Sequence, residues 1–244
     1  MKIDISKRDG TLFIADGESC VRAVLPTGVI RPFAGQCSNP GFSGDSGPAS
    51  AAQLRGPTDL SLGADGSLYI ADSLNHRIRK ISANGTIQTI AGSGATGASA
   101  GSFTGDNSSA TQATFNTPSG VDVGPDGVIY VADLGNGRVR LISPDGVVHT
   151  VAGTGVSSTS GNDGPGAAAG LGGPRRVRIA TDGSLLIAET SGHVVRIRCA
   201  EPVLRKRVIR RHLRVHEGKN GSGVGGANRR MGSKRAVGDG ICRG

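Results

Sequence analysis

Between Gly56 and Gly94 the chain reads GPTDLSLGADGSLYIADSLNHRIRKISANGTIQTIAGSG, four short apolar runs each closed by turn residues. Leu60 and Leu62 alternate with Asp59 and Ser61, and Ala64-Asp65-Gly66 follows. Leu68, Tyr69 and Ile70 form a second run, and Ile78 and Ile81 a third. Asn84-Gly85 turns the chain again before Ile87 to Ile90. Apolar positions of period two, bounded by Asp-Gly and Asn-Gly, predict antiparallel hairpins, because these residues tolerate the positive φ of tight turns. Four strands in a meander make one sheet, which cannot bury both faces without copies of itself.

The copies are present. The Asp-Gly turn recurs at Asp9, Asp65, Asp126 and Asp182, with spacings of 56, 61 and 56 residues. The Ala-Asp closing the second strand recurs at Asp16, Asp72 and Asp133 and becomes Ala188-Glu189 in the fourth copy. Ala-Gly follows the last strand at Ala34, Ala91 and Ala152. Leu60 and Leu62 correspond to Ile3 and Ile5, to Val121 and Val123, and to Val177 and Ile179. Radial repetition of four-stranded sheets predicts an all-β propeller, in which ring closure leaves few exposed edges.

The strings GSLYIADSLNHRIRKIS and GVIYVADLGNGRVRLIS resemble NHL repeats. The connectors GDSGPASAAQLRGP (44–57) and GNDGPGAAAGLGGP (161–174) resemble the long-blade variety found in bacterial secreted proteins and in the teneurin extracellular propeller. The resemblance covers about residues 2–197. It implies blades at about 1–36, 56–92, 117–153 and 174–197: three of four strands and part of a fourth, an incomplete arc of a six-bladed ring. Because the chain opens within a repeat, it reads as a piece of a larger secreted or surface protein, with no signal peptide visible at its start.

Aromatic residues are only 3% of the chain and Trp is absent, so the core is expected from Val, Ile, Leu and Ala. Residues 37–55, 93–117 and 154–174 are Gly/Ser/Ala-rich connectors, read either as rim loops that contact ligand or as spacers. The net charge of +9 belongs to the end of the chain: 12 of the 28 Lys and Arg and 2 of the 19 Asp and Glu follow Pro202, leaving 16 basic against 17 acidic before it. Whole-chain charge is therefore no argument that the propeller binds nucleic acid. From Arg198 the repeat fails, and residues 198–244 read as a basic, Gly/Arg-rich, disordered tail, or as translated intron or frameshifted text.

Candidate chemistry is sparse. Cys199, His212 and His216 resemble half of a zinc finger, but a second cysteine is missing from residues 194–196 and no metal site is expected. Arg77 with Arg79, Arg138 with Arg140, and Arg196 lie on third strands, where a basic ring could grip phosphate. Each blade also holds Asp16, Asp72, Asp133 or Glu189, so Arg79, Arg140 and Arg196 are expected in inter-blade salt bridges that set sheet spacing. Cys20 and Cys37 flank the open end of one hairpin and are either a disulfide or two free thiols.

The resemblance implies a non-catalytic scaffold that binds a protein through its loop face, with no cofactor. An RNA-binding module aided by the basic tail is the alternative, and a propeller hydrolase or lyase comes third. His76, His149 and His193 form no converging set, and Gly44-Asp45-Ser46-Gly47-Pro48, though similar to a serine-protease string, lies in a connector motif that recurs. No enzyme is expected. Both open ends of the arc are expected to present wet aliphatics, Ile3, Ile5, Leu12 and Ile14 at one and Val177, Ile179, Leu185 and Ile187 at the other, which makes self-association through these faces the other expected contact.

Overall fold

The computed structural model describes residues 2–6, 8–94, 96–97, 101–191, 193–198 and 203–207. Among these, four antiparallel sheets form. The first holds β1 (Lys2–Ile5), β2 (Leu12–Asp16), β3 (Cys20–Val24) and β4 (Ile30–Ala34). The second holds β5 (Pro57–Leu62), β6 (Leu68–Asp72), β7 (Arg77–Ile81) and β8 (Ile87–Ala91). In the third, β9 (Ser108–Ser109) is added at the outer edge of β10 (Pro118–Val123), β11 (Ile129–Asp133), β12 (Arg138–Ile142) and β13 (Val147–Ala152). The fourth comprises β14 (Gly164–Pro165), β15 (Pro174–Ile179), β16 (Leu185–Glu189), β17 (Val194–Arg198) and β18 (Val203–Arg207).

Each sheet packs one face on the next, and three apolar layers result. Phe13, Ala15, Val21 and Ala34 meet Leu60, Leu68, Ile70, Ile81 and Ile87. Tyr69, Ala71, Ile78 and Ala91 meet Val121, Ile129, Val131, Ile142 and Val148. Ala132, Val139 and Ala152 meet Val177, Leu185 and Ile187. One face thus offers mainly alanine, with one branched aliphatic in each layer, and the other mainly branched aliphatics, which lets narrow sheets close up without Trp.

The Ala-Gly that ends each fourth strand has a steric cause. Gly92 has φ +99, and a Cβ there would stand 2.4 Å from the carbonyl of His76; at Gly153 (φ +96) the distance to the Gly137 carbonyl is 2.3 Å. Any side chain would push the fourth strand away from the start of the third.

The connectors have a structural role of their own. Each crosses to the next sheet and pairs with its outer strand: Pro48 bridges Thr86, β9 pairs with β13, and β14 pairs with β18. This covers edges that would otherwise present free backbone groups. Leu54, Phe115 and Leu171 then enter the apolar layers.

Two expectations need correction here. The segment read as a tail supplies a strand: Val203–Arg207 pairs with β17 and completes the fourth sheet, which is therefore whole rather than partial. A ladder needs only main-chain donors and acceptors, so a basic run can fill the place that an apolar repeat fills elsewhere. The fourth sheet's Val177, Leu185 and Ile187 are buried against the third sheet, with Ile179 packed at the margin, so they do not line the open end. At the other end Ile3 and Ile5 are 43% and 53% exposed. Residues 208–244, with Cys242 and the His212 and His216 of the finger-like motif, lie outside the described residues, as does Cys199.

Candidate binding cleft at the start of the innermost strands

The paired arginines and acids form, but within one sheet rather than between two. Arg140 is wholly buried, with Nη1 3.6 Å from Asp133 Oδ2 and Nη2 2.8 Å from Asp106 Oδ1. It also donates to the carbonyls of Thr114 and Thr104, at 3.4 and 3.2 Å. Arg79 repeats this with Asp72, Asp45 and the carbonyls of Gln53 and Ser43. Arg196 repeats it with Glu189 at 2.7 Å and the Ser160 carbonyl. Every extra partner lies in the connector arriving from the preceding sheet, and Asp72 and Asp133 each accept a connector N–H, from Arg55 and Asn116. The cluster is a connector clamp. In the first sheet no described connector covers the pair, and Arg22–Asp16 stays 40% and 30% exposed.

The neighbouring arginines are spent as well. Arg77 donates to the carbonyls of Asn75 and Gly94 and lies 4.1 Å over the Phe42 ring. Arg138 donates to those of Asn136 and Thr154 and lies 3.8 Å over Phe103. His76 accepts from the Thr117 N–H at Nδ1, so its Nε2 carries the proton and donates to the Gly97 carbonyl at 2.6 Å. A phosphate-gripping ring is not available from these side chains. Cys20 and Cys37 are joined as a disulfide with Cα atoms 4.9 Å apart, tying the start of β3 to the segment after β4.

What does hold sheet to sheet sits on the innermost strands. Asp4 Oδ2 accepts from the Leu62 N–H, Ser61 Oγ from Val123, and Asp122 Oδ2 from Ile179. These three residues occupy one repeat position, each reaching the strand of the next sheet. At that position the fourth sheet carries Arg178, whose guanidinium lies 3.3 Å from Asp59 Oδ1 and 3.5 Å from Asp122 Oδ1.

A cleft of about 340 Å³ opens where these strands begin, lined by Thr58, Ser73, Leu74, Ser119, Arg175 and Arg176 among others. The register shift after Pro57, Pro118 and Pro174 turns the next residue toward the neighbouring sheet. Thr58 Oγ1 donates to the Ser119 carbonyl at 3.2 Å, and Ser119 Oγ to that of Arg175 at 2.9 Å. Arg175, at the same position in the fourth sheet, is exposed and has no ion pair among the described residues.

Asp59 lies under the mouth, fully buried, and Arg176 Nη1 approaches it at 3.4 Å. Burial pushes its carboxyl up to about 7, against the opposing pull of Arg176 and of the Val121 and Leu60 N–H groups. A perturbed acid near a cleft suggests catalysis. Here both oxygens already accept, Oδ2 from Val121 and Oδ1 from Leu60, so Asp59 latches three sheets together. Sequence reasoning missed Arg175 and Asp59, although the one available signal was visible: Pro-Thr, Pro-Ser and Pro-Arg break an otherwise regular repeat.

The model of the NHL repeat matches residues 54–81, and that of the Teneurin NHL domain matches residues 74–143. Over residues 54–143 the chain is therefore similar to the NHL-repeat family. Human Teneurin-4 is 34% identical over 151 residues, covering 57% of this chain and 5% of its own length, so the chain spans about one-twentieth of that relative. A solved Bacteroides thetaiotaomicron protein of unknown function superposes on 80% of this chain and 46% of itself, with TM-score 0.62 and 23% identity. A catalytically inactive histidine variant of Staphylococcus aureus virginiamycin B lyase, with quinupristin, matches 84% of the chain and 54% of itself, with TM-score 0.51 and 16% identity. These two likenesses concern the fold. The sequence matches support a propeller module of the binding type.

Proposed function

We propose that this NHL propeller is a non-catalytic binding module of a larger secreted or surface protein, and that it holds an acidic segment of a partner protein in this cleft. The observation that carries the reading is Arg175: an exposed guanidinium without a carboxylate partner among the described residues, set in a cleft with hydroxyls and with Leu74 and Leu134. Such a mouth suits a carboxylate flanked by apolar side chains. The non-catalytic part is supported by the similarity to the Teneurin NHL domain. An oxidising compartment is supported by the Cys20–Cys37 disulfide.

The test compares the whole chain with its Arg175→Glu variant on an array of acidic and basic peptides and on single-stranded RNA. Retention of acidic peptides by the parent, lost in the variant with its melting point unchanged, is the expected result. RNA retention that falls with Arg175→Glu while peptides are ignored would overturn the reading in favour of a nucleic-acid module.

A further inference from the structure

Two segments on the outer strands depart from the repeat in a way that turn geometry does not require. The turn between β7 and β8 reads Asn84-Gly85-Thr86, where the first sheet has Thr27-Gly28-Val29 and the third has Asp145-Gly146-Val147. Asn84 Oδ1 accepts from the Thr86 N–H at 3.0 Å, which accounts for the asparagine but not for a hydroxyl in place of valine. In the connector that pairs with β13, Asn107-Ser108-Ser109 stands where the others read Ser46-Gly47-Pro48 and Asp163-Gly164-Pro165. Ser46, Asn107 and Asp163 have φ of 65°, 63° and 61°, so the short polar residue again has a backbone reason and Ser109 has none. Each departure completes an Asn-x-Ser/Thr triplet without a central proline. A third triplet, Asn220-Gly221-Ser222, lies outside the described residues.

Both asparagines are exposed. Among the described residues the engaged atom of each amide is its oxygen: Asn84 Oδ1 takes the Thr86 N–H, and Asn107 Oδ1 takes the His149 Nδ1 proton at 2.8 Å. They also share a place in the fold. Pro57, Asp72 and Arg77 stand in register at the cleft end of the second sheet, whereas the turn holding Asn84 lies beyond the Ile81–Ile87 pair at the opposite end. Asn107 donates its N–H to the Val148 carbonyl at 2.7 Å, and Val148 pairs with Ile142 at the matching end of the third sheet. Neighbouring sheets thus carry a triplet on the outer rim, at the end away from the cleft.

We infer that Asn84 and Asn107 are N-glycan acceptors, whose sugars cover this rim and leave the cleft end bare for its partner. In the transfer, Nδ2 forms a bond to C1 of an oligosaccharide carried on a lipid pyrophosphate. The C1–O bond breaks, its electron pair leaves with the pyrophosphate, and Nδ2 gives up one proton. The inference rests on the reading of the chain as part of a secreted or surface protein, which the Cys20–Cys37 disulfide supports independently of any glycan.

The full chain, secreted from a eukaryotic cell line behind an added leader, tests it. Enzymatic release of glycans in heavy-oxygen water should leave labelled aspartate at positions 84 and 107. Spontaneous deamidation at Asn84-Gly85 takes ordinary oxygen beforehand and carries no label. Thr86→Val and Ser109→Ala keep both asparagines; each should lose one glycan's shift on a gel and the label at its own site, with circular dichroism unchanged. Secreted protein with the disulfide formed but neither asparagine labelled overturns the inference and leaves the compartment reading standing. Free thiols in secreted, unlabelled protein would overturn both. Label that persists in Thr86→Val and Ser109→Ala overturns it as well, and acidic-peptide retention that appears only after glycan release would overturn the placement away from the cleft.

Discussion

Replacing Arg140 by Met at pH 8 keeps most of the side chain's volume and removes the guanidinium. Asp133 then stays fully buried with its charge, left with the Asn116 N–H and Asn136 Nδ2 as donors. The carbonyls of Thr104 and Thr114 each lose a donor, and Asp106 loses its 2.8 Å partner. Removing one member of a buried ion pair costs about 3–5 kcal/mol, chiefly because the other charge is stranded. A loss of about 4 kcal/mol in a chain this size corresponds to a fall in melting temperature of about 8–16 °C. Native-state hydrogen exchange should quicken first around residues 104–114, the connector that the clamp holds. Adding Asp133→Asn removes the stranded charge and should regain about half of the loss. Burial pushes the Asp133 carboxyl up to about 6, so at pH 5 it takes a proton and the single substitution should hurt less. Arg22→Met is the control, because Arg22–Asp16 is solvated and such pairs contribute at most about 1 kcal/mol. Equal losses from Arg140→Met and Arg22→Met at pH 8 would refute the clamp.

The whole chain should melt higher at pH 5 than at pH 8: Asp59, Asp72 and Asp133 have carboxyls pushed up by burial, to about 7, 6 and 6, so the folded state holds more protons than the unfolded state and stability rises as pH falls through these values toward 3.8. Below about pH 4 the trend reverses, as exposed Asp9, Asp65, Asp145 and Asp182, held under the usual value mainly by hydrogen bonds, are protonated; thermal melts that are flat or lower at pH 5 than at pH 8 would contradict this, and Asp59→Asn should flatten the rise. Reduction of the Cys20–Cys37 bond, which spans 17 residues, should lower stability by about 3 kcal/mol in calorimetry. A shift below about 2 °C on reduction, or peptide mapping that finds both thiols alkylated in unreduced protein, would contradict it.

The repeat was legible in the sequence because its causes are local. Period-two alternation sets which side chains share a face, Asp-Gly and Asn-Gly set the turns, and the Gly after Ala91 and Ala152 stands where a Cβ would come within 2.4 Å of a carbonyl. The presence of an acid and an arginine in every blade was equally visible, and so was the separation of Cys20 and Cys37 by one hairpin. Only the tertiary structure decided what these groups do. Arg79, Arg140 and Arg196 are buried because a connector from another sheet lies over them, a contact between residues 26 to 36 positions apart that no window of alternation reports. Asp59 meets Arg176 across 117 residues because the innermost strands converge on one axis. Val203–Arg207 becomes a strand although its residues lack the repeat's pattern, since β17 and β14 flank the slot and their main-chain groups require partners. Periodicity records which face of a strand is apolar, whereas the sheet that covers that face is settled by how the chain returns.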